Sequence, residues 1–372
     1  PNNAGFRFTK LSWFEDDYYT DYYSTLATGT GALDGNGEYS YNPKIDASRS
    51  IHSANVMIES TVLGEDSQKV SASKNVLVHG SDFYIGIKRQ GYFLETGKET
   101  RLDFIAADPE GNRLNRKRIE VQIIRRHWES VRKAITGGRF QWESRQIDDI
   151  IETKTITTRA DNPVPYSFTP TNSGLYIVTA RAKDSANREV AADEYMYVIG
   201  SDYTAWAMFD DDLLELITEK EEYVPGETAR IMVKSPYENA TALVTVEREF
   251  VIDSYITNLE GSASLVEIPI KKEYLPNVYI GVSLVKGRVE DEAYTNYATD
   301  DGKPSFKIGY AGISVSPREK ELNVKITKSH ETREPREEMS VDLYVETKEG
   351  QAMETEIMLS VVDLGVFNLI GY

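Results

Sequence analysis

Alternation of apolar and polar residues, the period-2 signature of a half-buried strand, recurs about every 8 to 15 positions along most of the chain. The stretches Leu102 to Ala106, Ile119 to Ile124, Leu175 to Ala182, Ala229 to Val233, Ala242 to Glu247, Val278 to Val285, Ile308 to Val315, Leu322 to Ile326, Ser340 to Val345 and Glu356 to Val362 alternate in this way or concentrate Val, Ile and Tyr, which suit a pleated, half-buried surface. Turn chemistry separates them, as in Asp108-Pro109-Glu110-Gly111-Asn112, Leu33-Asp34-Gly35-Asn36-Gly37 and Ser235-Pro236-Tyr237-Glu238-Asn239. No amphipathic face persists for three helical turns, and Ile147 to Ile151 is apolar on both sides of Asp148 and Asp149. The pattern predicts an all-β chain.

Internal repetition divides it. Gly80-Ser81-Asp82-Phe83 returns as Gly200-Ser201-Asp202-Tyr203, each copy following a strand, Val76 to His79 and Met196 to Ile199. A second repeat places a tight turn before an alternating run: Glu95-Thr96-Gly97-Lys98-Glu99, Val224-Pro225-Gly226-Glu227 and Glu334-Pro335-Arg336-Glu337. Proline presets φ for the first corner of such a turn and glycine accepts positive φ at the second. The expected units are an opening segment 1–79, a domain 80–201, a domain 202–316 and a last segment 317–372. The outer two are short for a two-sheet sandwich of ~100 residues and read as parts of larger units.

Composition narrows the function. The 372 residues carry 42 Lys plus Arg against 60 Asp plus Glu, a net charge of −18 that opposes nucleic acid and anionic membrane as partners. No apolar run approaches the ~18 residues of a membrane span, and with no cysteine there is no disulfide, thiol or cysteine-zinc chemistry. The opening PNNAGFRFTK has neither the basic start nor the apolar core of a signal peptide. The chain reads as a piece of a longer one.

Candidate chemistry is thin. His52, His79, His127 and His330 fall in different units and in no metal-ligand spacing, so each is expected to be a satisfied or solvated side chain. The acidic runs Glu15-Asp16-Asp17 and Asp210-Asp211-Asp212 lack the alternating spacing and fixed glycine of a calcium loop. Asp148 and Asp149, neighbours on one strand, point to opposite faces and cannot share a substrate. Neither a nucleophile elbow nor a phosphate loop is present. The 23 tyrosines include clusters at Tyr18, Tyr19, Tyr22 and Tyr23 and at Tyr294 and Tyr297; an apolar body with a polar tip suits packing and domain contacts. The polar stretch Lys286 to Ser305 is expected to be a long mobile hairpin loop.

Several segments together resemble the bacterial alpha-2-macroglobulin family of protease inhibitors. Ser360-Val361-Val362-Asp363-Leu364-Gly365-Val366-Phe367-Asn368-Leu369 with Gly371-Tyr372 is similar to the family's VDxGVLxLTGY segment, and Leu275-Pro276-Asn277-Val278-Tyr279-Ile280 with Val282 and Leu284 to its PNVYVSVxLL strand. Tyr223 to Thr228, Ser235-Pro236, Leu243 to Arg248, Gly309 to Ile313 and Asp210 to Asp212 fall in the family's order.

The resemblance implies a tandem array of antiparallel seven-stranded, fibronectin-III-like macroglobulin sandwiches. In the family a bait segment is cut, the molecule rearranges, and the protease is caged, in many members with capture by a CxEQ thioester. Without cysteine that thioester is not in these residues, and the bait is expected beyond Tyr372, so 317–372 is taken to end before it. The expected role is non-enzymatic scaffold: no catalytic, cofactor-binding or metal-binding residue and no cofactor. Expected partners are target proteases, met through the full-length protein, and other macroglobulin domains of the same chain, with no nucleic acid and no membrane contact. The expected location is the periplasm or cell envelope. A surface adhesin or carbohydrate-binding sandwich array is the competing reading, because fold alone does not fix function.

Overall fold

A computed structural model describes residues 3–9, 25–44, 53–64, 68–135, 139–288, 304–328 and 337–361. Its regular structure is almost wholly β, and two sandwiches dominate. In the first, β3 (Tyr84–Arg89), β5 (Thr100–Ala107) and β8 (Val164–Phe168) make a three-stranded sheet in the order β3-β5-β8. Opposite it lie β4 (Phe93–Glu95), β6 (Arg118–Ile135), β7 (Arg139–Thr157), β9 (Gly174–Lys183) and β10 (Glu189–Ile199), in the order β4-β10-β9-β6-β7.

The second sandwich repeats this plan strand for strand. Its three-stranded sheet is β11 (Leu216–Thr218), β13 (Thr228–Lys234) and β16 (Ala263–Pro269), in the order β11-β13-β16. Its five-stranded sheet is β12 (Glu222–Tyr223), β14 (Asn239–Glu247), β15 (Val251–Glu260), β17 (Asn277–Lys286) and β18 (Ser305–Val315), in the order β12-β18-β17-β14-β15. Each sandwich thus has eight strand segments where seven strands were expected. The first strand breaks and its second half crosses to the other sheet, where β4 pairs parallel to β10 and β12 parallel to β18.

Strand alternation builds the cores. Val121, Ile123, Tyr176, Val178 and Ala180 face Leu102, Phe104 and Tyr166 in the first, all at most 2% exposed. Val244, Val278, Ile280 and Val282 face Ile231, Val266 and Ile268 in the second. The repeated turn does the same work twice. Gly97 and Gly226 sit at φ 75° and 95°, a region that penalises a side chain, and their N–H groups donate to Pro170 O and Ile270 O, both at 2.8 Å, just past the ends of β8 and β16. In the second copy Glu227 closes the turn by accepting from Val224 N and Lys220 Nζ; the Lys220 hydrogen bond is the main influence holding its carboxyl below the ordinary range.

Outside the sandwiches, among the described residues, β1 (Ala54–Leu63) pairs only with β2 (Lys69–Val78), and β19 (Leu322–Lys328) only with β20 (Val341–Thr347). Residues 3–9 lie on the first sandwich: Arg7 bridges Ile87, and Asp193 N donates to Thr9 O. The expected strand Glu356 to Val362 is corrected: its described part, through Val361, enters no ladder among the described residues, and Ile357, Met358, Leu359 and Val361 are exposed. Alternation alone does not make a strand without a neighbouring edge to pair with.

Candidate functional site

Among the described residues, polar and aromatic side chains converge at the seam between the two sandwiches. β6 and β7 are 18 and 19 residues long, more than the core needs. The extra length carries the hairpin along the linker 200–213. Trp128 N donates to Ala205 O at 3.0 Å, Met208 N to Ser144 Oγ at 2.9 Å, Ser144 Oγ to Met208 O at 3.0 Å, and Trp142 N to Asp210 Oδ2 at 3.0 Å.

At the centre Trp206, 4% exposed, inserts between the outer face of the first five-stranded sheet and the outer face of the second three-stranded sheet. One wall is Phe93, Leu175, Ile177 and Tyr197; the other is Met232 and Ala263, with Ile217 and Leu265 at its border. Both walls exist because these strands are apolar on both sides, as a strand buried on both faces must be. The indole Nε1 donates to Ser262 O at 2.7 Å. Lys234 Nζ stands 4.9 Å from the Trp206 ring centroid and pairs with Glu215, and Arg230 lies 5.9 Å from the Phe93 ring. Such cation–π contacts add to the apolar burial.

A buried hydrogen-bond chain runs beside the indole. Asp202 accepts from Ser173 N at 3.0 and 3.1 Å, Ser173 Oγ meets Thr204 Oγ1 at 2.6 Å, and Ser262 Oγ both accepts from Thr204 N and donates to Thr204 O. Arg125 Nε and Nη2 donate to Ser173 O. Ser173, Thr204 and Ser262 are fully buried and each has a partner, as buried polar groups require. Gly261, at φ 75°, passes so close to the linker that a Cβ there would lie 2.7 Å from Gly200 O.

At one rim Tyr92, Tyr195 and Tyr197 form an edge-on cluster with centroids 5.8 to 6.0 Å apart. Burial, aided by the Tyr92–Tyr195 hydrogen bond, pushes the Tyr92 phenol far above its ordinary value, and burial does the same to Tyr197. Beside them a cleft of about 370 Å³ takes Arg7, Arg89 and Glu194 from one side and Glu219 and Lys220 from the other. Its charges are paired within the chain: the buried Glu194 with Arg89 at 3.3 Å and Arg7 at 3.7 Å, Glu219 with Arg230 at 3.5 Å, and Lys220 with Glu227 at 2.7 Å. This is the chemistry of a joint.

The residues singled out in the sequence are dispersed. Asp148 holds Arg126 through two 2.7 Å bonds, while Asp149 lies 3.3 Å from His127 on the opposite face. His79 is satisfied by Tyr84 OH at 2.9 Å. Asp210 to Asp212 serves the linker: Asp210 accepts from Trp142 N, Asp211 pairs with Lys307, and Asp212 O accepts from Ile308 N. No group of three or more His, Asp or Glu suited to a metal occurs among the described residues. Glu15-Asp16-Asp17, His52, His330, the clusters at Tyr18 to Tyr23 and Tyr294 to Tyr297, and most of 361–372 lie outside them. The same holds for 289–303 of the Lys286–Ser305 stretch, whose ends pair across β17 and β18. The seam itself had a partial sequence signal, the Gly200-Ser201-Asp202 repeat, but nothing marked Trp206 or Ser262.

Two sandwiches of one topology, joined in tandem through an apolar seam, define a β-sandwich array with its conspicuous chemistry at a domain junction. The profile of the Bacterial macroglobulin domain 6 matches residues 86–196, and that of the Alpha-2-macroglobulin bait region domain matches residues 214–369. An alpha-2-macroglobulin homolog of Nostoc sp. is 26% identical over 365 residues, 97% of this chain and 18% of that protein. The alpha-2-macroglobulin of Pasteurella multocida is 22% identical over 313 residues, 83% of this chain and 15% of that protein. The chain resembles the bacterial alpha-2-macroglobulin family over residues 86–196 and 214–369, and it spans less than a fifth of the length of these relatives. A crystal structure of Salmonella alpha-2-macroglobulin reacted with methylamine overlaps all of this chain and 23% of that one at 16% identity, with a TM-score of 0.37.

Proposed function

We propose that these residues are a wall segment of a steric protease trap, non-enzymatic in themselves. They supply shape and rigidity to a longer protein that encloses an endopeptidase after the protease cuts a bait. The observation that carries this reading is the seam: an indole closed in by both sandwiches and a fully satisfied polar chain around it make a stiff tandem unit. Enclosure of a protease needs stiff walls more than it needs a pocket.

The units of this wall are 80–201 and 202–316, flanked by parts of neighbouring domains in 1–79 and 317–372. The cage partners are target proteases and the other macroglobulin domains of the same protein, and the protein works outside the cytoplasm, in the periplasm or cell envelope. We place the bait after Tyr372. Because the profile matched over 214–369 is named for the bait region, the position of the first cut is the observation that decides this.

The test is to incubate the full-length protein with elastase and map the first cleavage by mass spectrometry. The mixture is then assayed on a small chromogenic peptide and on a large protein substrate. Retained activity on the peptide with lost activity on the protein, after a first cut beyond Tyr372, is the expected result. Progressive degradation with equal activity on both substrates would overturn the trap, and a first cut inside 202–372 would overturn the bait placement alone.

A further inference from the structure

The outer faces of the two five-stranded sheets are equivalent in the repeat but differ in their cover. On the first, Leu175, Ile177 and Tyr197 are at most 6% exposed, because Trp206 and the three-stranded sheet of the second sandwich lie on them. On the second, the register brings Ile256, Leu243, Val285, Phe306, Tyr279 and Tyr310 onto one face, and these side chains are 41% to 72% exposed. Of Thr241, Leu243, Thr245, Glu247 and the positions paired with them across the sheet, Glu247 alone is charged, in a chain that is 27% charged. Depletion of charge with enrichment of aromatics marks the core of an interface, and an apolar patch of this extent marks an interaction surface.

The face is also shaped to be covered. Tyr310 lies across Gly281, where a Cβ would fall 2.9 Å from its ring, and Tyr279 lies across Gly312. Each ring thus covers the backbone of a glycine on the neighbouring strand and adds to a mainly apolar surface.

We infer that the outer face of β14, β15, β17 and β18 receives the three-stranded sheet of a further β-sandwich of the same protein, repeating the contact made on the first sandwich. The repeated topology supplies the geometry. The relatives supply the chain length, because 97% of this chain matches only 18% of the Nostoc protein. The surface, charged only at Glu247, selects an apolar sheet over a charged peptide. The inference stands on the repetition of the sandwiches and does not depend on protease capture.

Hydroxyl-radical footprinting read by mass spectrometry tests it, comparing the 372-residue chain with the full-length protein. Oxidation of Tyr279, Phe306 and Tyr310 is expected to be about fivefold slower or more in the full-length protein, as at a water-excluded interface core. Amine cross-links from Lys286 are expected to reach a segment outside these residues. Tyr310→Lys, on an exposed side chain that tolerates replacement, is expected to restore fast oxidation of Tyr279 in the full-length protein. Equal rates in both proteins would overturn the inference. So would protection that disappears on dilution with cross-links between two copies, which would assign the face to a second molecule, and so would protection only after protease is added.

Discussion

The same Gly-Ser-Asp motif opens both sandwiches and ends in different places. In the first, Asp82 accepts from Ser185 N in the β9–β10 turn of its own sandwich, and Phe83 drops at once into the core, fully buried. In the second, Asp202 reaches back to Ser173 N of the preceding sandwich, and Tyr203 stays 49% exposed. The chain then runs across the neighbouring sheet before β11 begins. A capping aspartate that stabilises a turn within one domain thus ties two domains together in the other. The added linker brings Trp206 to the face that needs cover. The second sandwich has no such cover on its own outer sheet among the described residues, and that contrast separates what every unit needs to fold from what joins units.

The two sandwiches can be uncoupled at the joint. Trp206→Ala is expected to destabilise by about 3–5 kcal/mol, the range for removing a buried aromatic, and to split thermal unfolding into two calorimetric transitions as the sandwiches uncouple. Gly261→Ala should follow. A left-handed residue costs about 1–2 kcal/mol, and here the new methyl also meets Gly200 O. Gly226→Ala has the same sign of φ but open space around the Cβ, so urea unfolding should show the smaller loss. Ser262→Ala leaves Thr204 N and Thr204 O buried without their partner and is expected to cost about 1–3 kcal/mol.

A smaller effect is expected within the first sandwich. Burial of Asp184 works to raise its carboxyl, but hydrogen bonds from Arg188 N, the Arg188 guanidinium and Ala186 N win and hold it below its ordinary value. Since the folded value is the lower one, this stability is present above the unfolded carboxylate value, about pH 4, and is lost as pH falls through the folded one. Thermal melts from pH 6 down to about 3 should therefore fall less steeply for Asp184→Asn than for the parent. Smallest of all, Tyr310→Ser on the open face is expected to change the stability of the 372-residue chain by no more than about 0.5 kcal/mol.

The strands that alternate cleanly were legible in the sequence, and so was the repeat. Gly97 and Gly226 occupy equivalent turns with equivalent hydrogen bonds, as the turn chemistry implied. What escaped was whatever depends on two faces at once. Met232 and Leu175 read as ordinary strand positions, yet each lies on an outer face and is buried by the other domain. β7 carries Asp148 and Asp149 between apolar residues and shows no clean alternation, because its distal half faces a linker rather than a core. Trp206 sits in a stretch with no strand pattern, and only its contacts reveal its role. Seven expected strands became eight segments because the break in the first strand is a crossing between sheets, which one-dimensional periodicity does not encode.

If the seam makes the two sandwiches one rigid body, the distance between them is fixed. The absence of native cysteine allows spin labels at Glu110→Cys in the first sandwich and Glu273→Cys in the second, and a dipolar distance measurement between them on the 372-residue chain. A single narrow distance distribution, broadened by Trp206→Ala, is the predicted result. A broad distribution in the parent chain, unchanged by Trp206→Ala, would mean that the sandwiches swing freely and that the seam does not lock them.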